Sequence, residues 1–156
     1  MTAPIRRIIR DVCRILLGAV FLFAVASKLT QFEILPVGPA SGVRVFAYVL
    51  ERNGIFPPEY SFPAAMIVVA LEATVGIWLL SGRHVVASSV AAGALLVSFT
   101  GYLVFALLHQ GMAPCNCFGT LQPVDIRLAV ARNVGLLVMT LVMVAVELRP
   151  VNRACG

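Results

Sequence analysis

The chain has 156 residues and a formal net charge of +5, with 60% hydrophobic and only 12% charged residues; its mean hydropathy is +0.97. That composition excludes an ordinary water-soluble domain and a disordered chain, and points to a protein solvated by lipid. The positive charge calls for no nucleic acid, because most of it collects on one face of the topology that the spans dictate.

Four apolar runs are long enough to cross a hydrocarbon core, which takes roughly 20 helical residues. They cover about 12–29, 62–80, 85–108 and 128–146, and account for most of a single membrane domain over residues 1–156. The expected fold is all-α, an integral membrane four-helix bundle. The first run, Val12 to Leu29, follows Arg6, Arg7 and Arg10 and so has the basic entry of a signal peptide. A retained helix is the better reading, since no small-residue cleavage site follows and Lys28 occupies its end. The only long connection, Thr30 to Ser61, is punctuated by Pro36, Gly38, Pro39, Gly42, Gly54, Pro57 and Pro58. Within it, Val43, Phe46, Ala47 and Leu50 recur at i, i+3, i+4 and i+7, which predicts a short amphipathic helix on the outer membrane surface, roofing the bundle.

The second run carries Glu72 near its middle, where an unpaired carboxylate in lipid costs a few kcal/mol. It must face the bundle interior. "SGRH" joins the second and third runs tightly and makes them antiparallel neighbours. Arg132 and Asn133 lie about a turn into the fourth run. Pairing of Glu72 with Lys28 or with Arg132 would relieve the desolvation, and the group of four reads either as a polar pocket for a proton relay or a quinone head group, or as a structural ion pair with Lys28 snorkelling to the interface. Gly18, Gly76, Gly93 and Gly101 read as close-packing positions between helices.

Basic residues orient the chain. Arg6, Arg7, Arg10, Arg14, Arg83, Arg149 and Arg153 fall on one side of a four-span topology, against Lys28, Arg44, Arg52 and Arg127 on the other. Both termini are therefore expected in the cytoplasm of a bacterial inner membrane (N-in/C-in), and the stretch "HQGMAPCNCFGTLQP" faces the periplasmic or extracellular side.

There Cys115 and Cys117, one residue apart, meet an oxidising compartment. A disulfide between them closes a very small ring that departs from relaxed geometry, and a strained, exposed bridge is the labile sort that takes part in exchange. Arg127, and His109 if it folds back, are candidate thiolate modulators. The other readings are a fixed structural bridge, idle thiols, and a metal site on Cys115, Cys117 and His109; the last matches none of the common four-ligand zinc patterns, and no metal is expected. Cys13 reads as a small apolar filler, and Cys155 as a reduced thiol outside any prenylation box.

Taken together, "RILLGAVFLFAVASKL", "EATVGIWLLSG", "CNCFG" and "ARNVGLLV", in that order, resemble the MauE/DoxX-like redox-associated membrane proteins, with the methylamine-utilisation MauE branch closest. The resemblance covers most of the chain. It implies a four-helix inner-membrane protein supporting disulfide formation or maturation of a periplasmic protein, with Cys115 and Cys117 as the redox pair and Lys28, Glu72, Arg132 and Asn133 as family polar positions. Val25 departs from the small residue expected there, which weakens any claim to a cofactor groove along the first span.

The resulting expectation is a candidate thiol-disulfide oxidoreductase that exchanges disulfides with a periplasmic thiol or disulfide client, with quinone as the candidate electron carrier. The rival is a non-catalytic accessory or docking subunit, bound to a neighbouring membrane subunit and with a structural Cys-x-Cys loop. Membrane lipid is the surrounding partner in both.

Overall fold

A computed structural model describes residues 3–30, 41–52, 57–110 and 126–148. These form five helices: α1 (Ala3–Thr30), α2 (Ser41–Arg52), α3 (Pro58–Ser81), α4 (Val85–Gln110) and α5 (Ile126–Leu148), and there is no strand among the described residues. The all-α expectation holds, and each predicted apolar run lies inside a helix. Three of these helices are long and apolar enough to cross a membrane, over Pro58–Ser81, Val85–Phe105 and Leu128–Leu148. At about 1.5 Å per residue, each exceeds the ~30 Å of a hydrocarbon core. α1 carries Arg6, Arg7, Arg10, Asp11, Arg14 and Lys28 and is not one of the three.

The surface fits lipid as the solvent. Met66, Ile67, Leu71, Ile77, Val90, Val97, Val138 and Leu141 are exposed, whereas Lys28, Glu72, Ser88, Ser89, Asn133 and Thr140 are buried. Such an inverted distribution would leave an apolar surface of aggregating size in water. Hydroxyls are satisfied within their own helices, as lipid requires: Thr74 donates to the Ala70 carbonyl, Thr100 to Leu96 and Thr140 to Leu136.

Helix α1 packs on α3 and on α5, while α4 packs on α5 and on α3. Helix α3 begins earlier than its apolar run, because Pro58 sits in the first turn, where the missing N–H is not needed. It ends at Gly82, whose left-handed φ of 69° lets its N–H reach the Leu79 carbonyl at 3.2 Å. The next two residues complete the turn into α4, with His84 also at positive φ. The short "SGRH" connection thus does reverse the chain between neighbours.

Glycine seams hold α1 against α3. A Cβ on Gly18 would lie 2.8 Å from Leu80 Cγ and 3.2 Å from the Gly76 carbonyl oxygen, and one on Gly76 would meet Leu22 and Phe21 at 3.1–3.2 Å. The packing role expected of glycines ends there. Gly93 has ordinary contact with Thr140 and Gly101 has nothing within 4 Å, so Gly101 does not mediate a close approach.

The amphipathic helix forms where its spacing predicts, and Val43, Phe46, Ala47 and Leu50 are all buried. Their partners are Val25 of α1 and Ala65 and Val69 of α3. Val25, the family departure, is thus core packing beneath α2. A second cluster, with Leu17, Phe21, Val75, Leu79, Leu96, Leu136 and Met143, occupies the centre of the other helices, and Cys13 packs against its edge as the filler expected.

Candidate functional site

Between the two apolar clusters lies a mainly apolar cavity of about 40 Å³, walled by residues such as Phe21, Phe46, Leu96, Phe99 and Leu103, with Tyr102 and the polar Lys28, Glu72, Arg132 and Asn133 also in its lining. The four polar positions predicted from separate spans therefore meet in one place. Helical placement explains the convergence. Lys28 is two residues from the end of α1, Phe99 and Tyr102 lie in the second half of α4, and Arg132 is six residues, about 9 Å, into α5. The cavity thus lies towards the end of the helices at which residues 111–125 link α4 to α5.

Glu72 is paired with Lys28. The Lys28 Nζ lies 2.5 Å from Oε1 and 2.6 Å from Oε2 of Glu72, and both residues are only 3% exposed. Snorkelling of Lys28 is thereby excluded: the ammonium turns inward to the carboxylate instead of outward to the headgroups. Two aromatic rings enclose it further, with centroids 4.9 Å away for Phe46 and 5.4 Å for Phe99. Both lie inside the range of a cation–π contact, which is strongest where water is excluded. An ammonium has three donors, and the two carboxylate oxygens engage two of them. The cavity has room for two or three waters to meet the rest.

Phe46, Phe99 and Tyr102 were not legible as site residues. Phe46 stands on the apolar face of α2 like any core residue, and the i, i+3 spacing of Phe99 and Tyr102 gives them a common face without saying what it covers. Cys115 and Cys117 lie outside the described residues, as does Cys155. His109 and Arg127 fall within α4 and α5, but their side chains are outside the described set. Among the described residues no group of three His, Cys, Asp or Glu side chains is placed to hold a metal ion.

The chain matches the family of methylamine utilisation protein MauE over residues 6–146, which takes in all five helices. It belongs to the MauE family. Comparison with curated proteins and with solved structures finds no match. The membership agrees with a multi-pass membrane protein, and the matched region contains both the caged ion pair and the Cys-x-Cys segment.

Proposed function

We propose that this MauE-family protein is a four-span thiol-disulfide exchange protein of the bacterial inner membrane, serving maturation of a periplasmic protein in a methylamine-utilisation system. The observation that carries the reading is the Lys28–Glu72 pair, joined by Arg132 and Asn133 around a water-sized cavity, towards the end of the helices to which the Cys-Asn-Cys segment is attached. Intramembrane ionisable groups gathered in this way mark proton paths. The fourth span is α1: from Val12 to Leu29 its only charges are Arg14, at one end, and Lys28, neutralised by Glu72.

Exchange then runs in two displacements. A thiolate of the Cys115/Cys117 pair attacks one sulfur of a partner disulfide, and the partner's other sulfur leaves as thiolate. The second cysteine attacks the mixed disulfide, forming the Cys115–Cys117 bond and releasing the partner dithiol. Two electrons pass to the partner, and two protons are lost from the loop thiols and taken up by the released sulfurs. The reverse sequence oxidises a partner dithiol. In this reading the carboxylate of Glu72, paired with Lys28, accepts and returns the protons. A quinone, as electron carrier, needs space on the order of the ~150 Å³ cavity that admits a benzene ring. The cavity beside Glu72, of about 40 Å³, does not hold one.

Cysteine trapping tests this. A Cys117→Ser variant, and its Cys115→Ser converse, are expressed in cells induced for methylamine use and quenched in acid. One of them is expected to accumulate a covalent, reductant-sensitive adduct with a periplasmic protein, and wild-type Cys115 and Cys117 are expected to switch between alkylatable and oxidised forms under mild reductant. A pair permanently oxidised, with both serine variants fully active, would leave a fixed loop staple and make the protein a docking subunit.

A further inference from the structure

The opposite end of the helices holds a second polar site. Arg10, Arg14, His84 and Glu147 line an open cleft of about 600 Å³ together with Gly82 and Val85, Val86 and Ala87 of the first turn of α4. Its charges are unevenly matched. Arg10 is engaged by Asp11, Nε to Oδ1 at 3.1 Å, and by Glu147, Nη1 to Oε2 at 3.7 Å. Arg14 pairs with no carboxylate among the described residues, and its Nε is buried without a hydrogen-bond partner. The guanidinium lies so close over the α3–α4 turn that a Cβ at Gly82 would fall 1.7 Å from Nη1.

The same cleft meets the start of a 26-residue helix that has no acidic residue in its first turn. The first N–H groups of a helix lack intrahelical acceptors and carry partial positive charge. An arginine with no carboxylate partner among the described residues, a second arginine and a long helix's N-terminus together make an anion site, and phosphate oxygens suit both arginine and helix amides. Basic pockets between membrane helices at the cytoplasmic side are recognised by acidic lipid headgroups.

We infer that the cleft between Arg10, Arg14, His84 and the start of α4 binds a phosphate group, supplied by an acidic phospholipid headgroup or by free phosphate. The site shares no lining residue with the Lys28 cavity, and does not depend on thiol exchange.

The full chain in nanodiscs provides the test. Native mass spectrometry reads phosphatidylglycerol retained from a mixed phosphatidylglycerol/phosphatidylcholine bilayer, and thermal protection by inorganic phosphate against chloride is read in pure phosphatidylcholine. Enrichment of phosphatidylglycerol assigns the site to a headgroup, and protection by inorganic phosphate alone assigns it to the free anion; either supports the inference. A hydrogen bond from a charged group held in a site is worth about tenfold in binding, so Arg14→Gln is expected to reduce binding about tenfold. Arg14→Lys should retain most of it, and Arg7→Gln, on an exposed side chain outside the cleft, should change nothing. Glu147→Gln should strengthen binding, a gain that misfolding cannot mimic. Absence of both enrichment and protection in the wild type overturns the inference, as does an equal loss in Arg7→Gln and Arg14→Gln.

Discussion

Replacing Glu72 by Gln would strand the Lys28 ammonium between two aromatic rings with no counter-charge. Breaking a buried pair from one side costs about 3–5 kcal/mol, whereas replacing both partners with apolar residues of similar volume is often neutral. Glu72→Gln is therefore expected to lower stability by about 3 kcal/mol in detergent-titration unfolding, and Lys28→Met/Glu72→Leu to recover most of that loss. The double variant separates structure from function. If the pair moves protons, the recovered protein exchanges disulfides slowly, and its rate lacks the pH dependence expected of the wild type. Stability recovered with an unchanged exchange rate and pH profile would make the pair a packing device. The rings of Phe46 and Phe99 remain in that variant, so the comparison isolates the charges.

At the scale of elements, the contact between α1 and α3 depends on two small residues. A methyl added at Gly76 would meet Leu22 and Phe21 at distances tighter than ordinary contact, so it must push α1 away or force those side chains from their rotamers. Overpacking of this kind costs about 1–3 kcal/mol. Gly76→Ala should show that loss in the same unfolding assay, while Gly101→Ala, with open space around it, should stay within about 0.5 kcal/mol of wild type. An equal cost at both would mean that the glycines act through backbone freedom and not through contact. The pair also marks how far sequence reasoning reached. Apolar run length disclosed the helices, and the i, i+3, i+4, i+7 spacing disclosed the buried face of α2, because both are local periodicities. Spacing alone ranked Gly18, Gly76, Gly93 and Gly101 equally, since the partner surface is set by how helices rotate against one another. The same holds for the site. The cost of a charge in lipid made Lys28, Glu72, Arg132 and Asn133 conspicuous and required a partner for Glu72. Choosing Lys28 over Arg132, and enclosing it with Phe46 and Phe99, needed the packing of α1, α2, α3 and α4 together.

For the whole molecule, the contacts sort the charges by end. Arg14 lies over Gly82 of the α3–α4 turn, and Arg10 reaches Glu147 near the close of α5, so the start of α1, that turn and the end of α5 share one end of the helices. Arg6 reinforces this by donating to the Val146 carbonyl. At the other end, Lys28 is paired with Glu72. Lys and Arg in short flanks are what sets orientation. The expected topology has Cys155 in the cytoplasm and Cys115 and Cys117 outside. Single-cysteine variants in spheroplasts should show it: after reduction, a membrane-impermeant maleimide should label a chain carrying only Cys117 at once, and one carrying only Cys155 after permeabilisation. Labelling in the opposite order would put the Cys-x-Cys segment in a reducing compartment, where a strained disulfide does not persist, and would end the exchange reading while leaving the caged ion pair intact.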